Sequence, residues 1–121
     1  MAPKLSARQQ AQLAFLDAQV PKLQRIHALI ERLSSPSEAE TAAKSLTRLL
    51  DELKSGAAGL SISDVAQTAS MMASVSRRTG GLQTRLRALR EGFAGLKINY
   101  DGARKSASRP EGPADPAEMR S

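Results

Sequence analysis

The segment LQTRLRALREGFAGLKINY, residues 82–100, sets Leu82, Leu86, Leu89, Phe93, Leu96 and Tyr100 at alternating steps of four and three. At about 100° of rotation per residue, those steps bring all six to one face of an α-helix. A helix with one apolar stripe must bury it against a partner, and here the partners are expected to be other helices. Two Phe, one Tyr and no Trp leave the core to aliphatic residues and Ala, a composition that favours helix packing over sheet packing. Gly92 and Gly95 fall inside the segment, where each costs about 1 kcal/mol of helix propensity relative to Ala. Both are therefore expected to mark a neighbour's close approach.

Working back along the chain, Gly80 and Gly81 predict a glycine stop for a preceding helix. That helix is expected to open at SISD, residues 61–64. Ser61 would be its N-cap with Asp64 reaching back, and Val65, Ala69, Met72 and Val75 its apolar face. Further back, SSPSEAE (residues 34–40) reads as another start, with Ser35 as N-cap, Pro36 in the first turn and Glu38 completing a capping box. Ala42, Leu46, Leu49, Leu50, Leu53, Ala57 and the marginal Leu60 line its buried face. The first segment runs from about Ser6 to Leu33 with Leu16, Val20, Leu23, Ile26, Ile30 and Leu33 in register. Pro21 should kink it or split off a short leading helix, because proline removes one backbone donor and clashes with the preceding turn.

Four amphipathic segments with short connections predict an all-α, antiparallel up-down-up-down four-helix bundle over residues 1–105. A helical hairpin completed by dimerisation is the alternative, so the chain is expected to be a monomer or a homodimer. From Ser106 the sequence SASRPEGPADPAEMRS holds three of the six prolines and has no apolar period, the composition of a disordered tail. There is no run of about 18 apolar residues for a membrane span and no secretory pattern at MAPKLSARQQ. With no cysteine, these features point to a cytoplasmic protein without disulfides or thiolate metal sites.

The formal charge is +6, and Arg77, Arg78, Arg85, Arg87, Arg90, Lys97, Arg104 and Lys105 concentrate in the second half. Without interleaved aromatics or a reading motif, this set is expected to be a solvated basic face, with nucleic acid or an acidic protein as the alternative partner. His27, the only histidine, excludes a His-cluster metal site. Its place near the apolar seam predicts a boundary residue satisfied by a local hydrogen bond. No local spacing joins a serine, the histidine and an acid into a nucleophile constellation. No cofactor is expected.

One stretch suggests a task. In LDELKSGAAGLSISDVA (residues 50–66), Thr47 from the preceding turn, Asp51, Lys54 and Ala58 should form a solvent-facing stripe beside the apolar face. Ser55, Gly56, Ala58 and Gly59 surround that stripe with almost no bulk, an arrangement suited to close docking by another protein. Asp51 and Lys54, three residues apart, are spaced for a surface ion pair that Arg48 could join.

The same stretch resembles the signature of the histidine phosphotransfer domain, a four-helix bundle. Leu53 and Lys54 match the family's Leu-Lys, Ala57 its Ala, Leu60 its Leu, and Val65-Ala66 the apolar pair opening the next helix. FLDAQVPKLQRIHALIERL (residues 15–33) and LREGFAGLKINYDGARKSA (residues 89–107) look like its flanking helices, so the likeness spans roughly residues 13–107. Asp51 stands where the family has its phosphate-carrying histidine, and Ser55 and Ser61 replace two glycines. A carboxylate cannot perform the relay of a nitrogen nucleophile. The resemblance thus implies a catalytically inactive member that docks a response-regulator receiver domain or a histidine kinase in two-component signalling, through Thr47, Asp51, Lys54, Ser55, Ala58 and Gly59.

Overall fold

The computed structural model describes residues 4–78 and 81–110, which form an all-helical body without strands. Its helices are α1 (Ala7–Ala18), α2 (Val20–Arg32), α3 (Pro36–Gly59), α4 (Ser63–Arg77) and α5 (Leu82–Ser108). Five helices thus stand where four segments were expected, because the Pro21 discontinuity is a full break. α1 ends at Ala18, Gln19 is the hinge, and Pro21 sits in the first turn of α2. Proline has no N–H for the Asp17 carbonyl and its ring crowds that carbonyl, so the first helix cannot run through. The break changes the phase of the apolar stripe. Leu16, Ile26, Ile30 and Leu33 are buried, but Val20 is 44% exposed and Leu29 is buried instead.

α3 and α4 make the most extensive helix pair, followed by α4 with α5 and α2 with α3. Short turns make each pair antiparallel. α1 and α2 run in succession along α5 in the opposite sense, since Gln9 meets Arg109, Asp17 meets Arg104, His27 stacks on Phe93 and Glu31 meets Arg90. The core joins Leu46, Leu50 and Leu53 of α3 to Val65 and Met72 of α4 and to Leu89 and Leu96 of α5. The expected stripes of α3, α4 and α5 are therefore the ones buried, with Leu82, Phe93 and Tyr100 packing at the core's edge.

The helix ends differ in detail from expectation. Ser35 is the N-cap of α3, but no capping box forms. Its carbonyl, not its side chain, accepts from the Glu38 N–H at 3.0 Å, and its hydroxyl lies 3.3 Å from that of Ser37. At the other end α3 runs through Gly56 to Gly59 and closes in a Schellman turn. Ile62 N–H donates to the Ala57 carbonyl at 2.9 Å and Ser61 N–H to the Ala58 carbonyl at 3.1 Å. Ser61 occupies the left-handed position of that turn at φ 60°, where glycine is the usual residue. It therefore cannot cap α4, whose N-cap is Ile62, and the Ser61–Asp64 box is not made.

α4 stops at Arg77, and Arg78 is already extended. Gly80 lies outside the described residues, while Gly81, at φ 30°, is the N-cap of α5. A capping box does form at Ser6, where Gln9 N–H donates to Ser6 Oγ at 3.0 Å and Ser6 N–H to Gln9 Oε1 at 2.9 Å. The boundary expected at Ser106 is too early. α5 continues to Ser108, buries Ala107, and offers the Arg109 carbonyl to the side-chain amide of Gln9. The rest of the tail, residues 111–121, lies outside the described residues.

Candidate functional site

Asp51 lies about two thirds of the way along α3, where its neighbours Leu50 and Leu53 are buried in the core and Lys54 is exposed. The stripe expected to face solvent is covered at one end by α4. Thr47 is half-buried, with its hydroxyl 2.8 Å from the Ala43 carbonyl and 2.5 Å from the hydroxyl of Ser76 on α4. Asp51 does not pair with Lys54 or Arg48. Its carboxylate accepts from the guanidinium of Arg77, at the end of α4. The α3–α4 hairpin brings Arg77 there from 26 residues away, a separation at which helix spacing gives no signal. Both partners keep about half their side-chain surface in water, which limits such a pair to about 0.2–1 kcal/mol.

The small-residue apron divides into two halves. Lys54, Ser55, Ala58 and Gly59 are exposed, and a Cβ added at Gly59 would meet nothing within 4 Å. Gly56 instead faces inward. A Cβ there would collide with Cε1 of Phe15, so this glycine admits α1 rather than a visiting protein. Gln12 on α1 adds a hydrogen bond to the Leu60 carbonyl at 2.8 Å, which fixes the last turn of α3 from the same side.

The expected solvated basic face is also divided. Arg77 binds Asp51, Arg104 binds Asp17, and Arg90 forks onto Glu31 with nitrogen–oxygen distances of 2.9 and 2.7 Å. Arg85 donates to the Ser76 carbonyl at 2.8 Å. These four side chains tie α5 and α4 to their neighbours, whereas Arg78, Arg87, Lys97 and Lys105 remain exposed. His27 differs from expectation as well: it is exposed, and its ring stacks on Phe93 with centroids 5.2 Å apart and planes at 19°. Beside that stack, α2 and α5 separate into a groove of about 640 Å³ whose apolar wall includes Leu23, Ile30 and Tyr100.

The Arg90 hydrogen bond holds the Glu31 carboxyl below its ordinary value, outweighing the opposing desolvation, with lesser help from the charges of Arg90 and His27. A carboxyl lowered in the folded state contributes stability that is complete above its unfolded pKa and is lost as pH falls through the folded one. In a carbon-detected NMR titration Glu31 should titrate below the ordinary glutamate range, and Arg90→Ala should return it to that range. An unchanged midpoint in that variant would mean that the fork does not form in solution.

Comparison with protein-family models, with characterised proteins and with solved structures finds no match to this chain.

Proposed function

We propose that the chain is a degenerate histidine phosphotransfer-like protein that docks a receiver domain or a histidine kinase and transfers nothing. On this reading α2 to α5 are the family's four-helix bundle, and α1 is the detached start of its first helix. The observation that carries the proposal is the layout of α3: Leu53 and Ala57 turn inward, Lys54, Ala58 and Gly59 turn outward beside Asp51, and a tight turn leads straight into α4. This is how a phosphotransfer helix must present its centre for a partner's active site to close over it.

The surroundings of position 51 support binding without transfer. The shallow groove at Asp51 is walled by Lys44, Arg48 and Arg77, with Glu52 the one further acid. A carboxylate already held by an arginine is a poor nucleophile, and a cation-lined groove suits the acidic phosphorylation site of a receiver. The division of labour among the arginines favours docking over nucleic-acid binding, because Arg77, Arg90 and Arg104 are committed to acids of neighbouring helices.

Ala58→Trp and Gly59→Trp test the proposal without disturbing the core, since both positions are exposed. Each should weaken capture of the cognate receiver or kinase by about tenfold or more, with helicity and Tm unchanged. If both folded variants retain wild-type affinity across a panel of receivers and kinases, the proposal fails. Stable transfer of label from a phosphorylated receiver to Asp51 or His27 would overturn its non-catalytic part.

A further inference from the structure

A second cleft, of about 570 Å³, lies between the first half of α3 and the last turn of α4, closed on one side by α5. Lys44, Arg77, Arg78 and Arg85 line it, with Glu40 as the single acid. Four cations in one concavity repel one another, and the fold gives only some of them partners. Arg77 has Asp51, and Arg85 has the Ser76 carbonyl. Lys44 and Arg78 stand exposed without an acid among the described residues. The Nε atom of Arg85 is buried and has no hydrogen-bond partner, so a desolvated, charged donor is left without an acceptor.

The Thr47 and Ser76 hydroxyls face each other at 2.5 Å and are each 2.8 Å from a backbone carbonyl of their own helix. They form part of the cleft wall beside the four cations. With four cations and one acid in its lining, the cleft carries a net positive charge.

From this geometry we infer that the cleft is a binding site for a phosphoryl-type oxyanion. The Arg85 guanidinium would face one oxygen, while Lys44 and Arg78 neutralise the others. Guanidinium forks match phosphate oxygens in spacing and plane, and lysine adds a mobile point charge. The inference does not depend on the docking role, although the cleft shares Lys44, Thr47 and Arg77 with the groove at Asp51.

Inorganic pyrophosphate is the probe, titrated at constant ionic strength so that general screening is held fixed, with NMR detection of the Arg85 Nε–H and the Ser76 and Arg77 amides. Saturable shifts confined to these signals are expected. Lys44→Ala combined with Arg78→Ala should weaken binding by about tenfold or more. Arg87→Ala combined with Lys97→Ala removes the same charge from exposed sites on α5 and should leave binding unchanged. Arg85→Lys keeps the charge but removes the planar guanidinium, and it too should weaken binding while the circular dichroism spectrum is retained. ADP in place of pyrophosphate separates two sources of the same group: equal binding means the phosphates alone are read, tighter binding means a nucleoside adds contacts, and both support the site. Absence of saturable shifts at Arg85, or equal weakening by the two double variants, would overturn the inference.

Discussion

Replacing Leu50 with alanine should lower the free energy of unfolding by about 2–5 kcal/mol. Leu50 is 0% exposed on α3, the helix that packs against both α2 and α4. Removing its isopropyl group leaves a cavity in the core, which the close-packed neighbours refill only in part. For a domain of this size total stability is about 5–15 kcal/mol, and the variant should be partly unfolded near body temperature. Urea denaturation followed by far-UV circular dichroism measures the loss directly. Val20→Ala provides the contrast: at 44% exposure the change should stay within about 0.5 kcal/mol. A loss at Leu50 no larger than at Val20 would refute the packing described above.

The second large effect is a pair of opposite signs on one helix. Gly92 and Gly95 are one turn apart on α5, and sequence alone assigns them the same role. The structure separates them. A Cβ at Gly92 would lie 2.8 Å from Cγ of Met72, a side chain that is 1% exposed, whereas one at Gly95 would meet nothing within 4 Å. Gly92→Val should therefore overpack the α4–α5 contact and cost about 1–3 kcal/mol. Gly95→Ala should gain up to about 1 kcal/mol from helix propensity. Thermal melts of the two variants should move in opposite directions from the wild type, and movement in the same direction would mean that α4 and α5 do not meet at Gly92.

These two glycines illustrate how much the sequence carries. Periodicity made the inward faces of α3, α4 and α5 legible, because each of these helices is held in place chiefly by burying a stripe that repeats every 3.6 residues. Pro21 and Pro36 were legible for a different reason, as proline acts through local sterics wherever it falls. The end of α3 was not. Ser61 fits an N-cap in sequence, yet the Schellman turn of the preceding helix uses the same residue in the left-handed region, and the earlier helix wins because two backbone hydrogen bonds and the burial of Ile62 come with it.

The candidate site divides in the same way. That Lys54, Ser55, Ala58 and Gly59 would be exposed followed from helix geometry. That Thr47 would be half-buried, that Asp51 would answer to Arg77, and that Phe15 would cover Gly56 did not, since each depends on a helix brought in from elsewhere in the chain. The cleft at Arg85 had no local signature at all, as its four cations come from three helices and the turn after one of them.

The hydrogen bond from the Gln9 side chain to the Arg109 carbonyl means that polypeptide enters and leaves the helical body at a single pole. A body of this kind can be spliced into a surface loop of an unrelated host without prying the host apart. For the same reason its two ends can be joined by a short bridge and new ones opened at Ser34, a rearrangement that would keep every helix in place while changing the order in which the ribosome makes them.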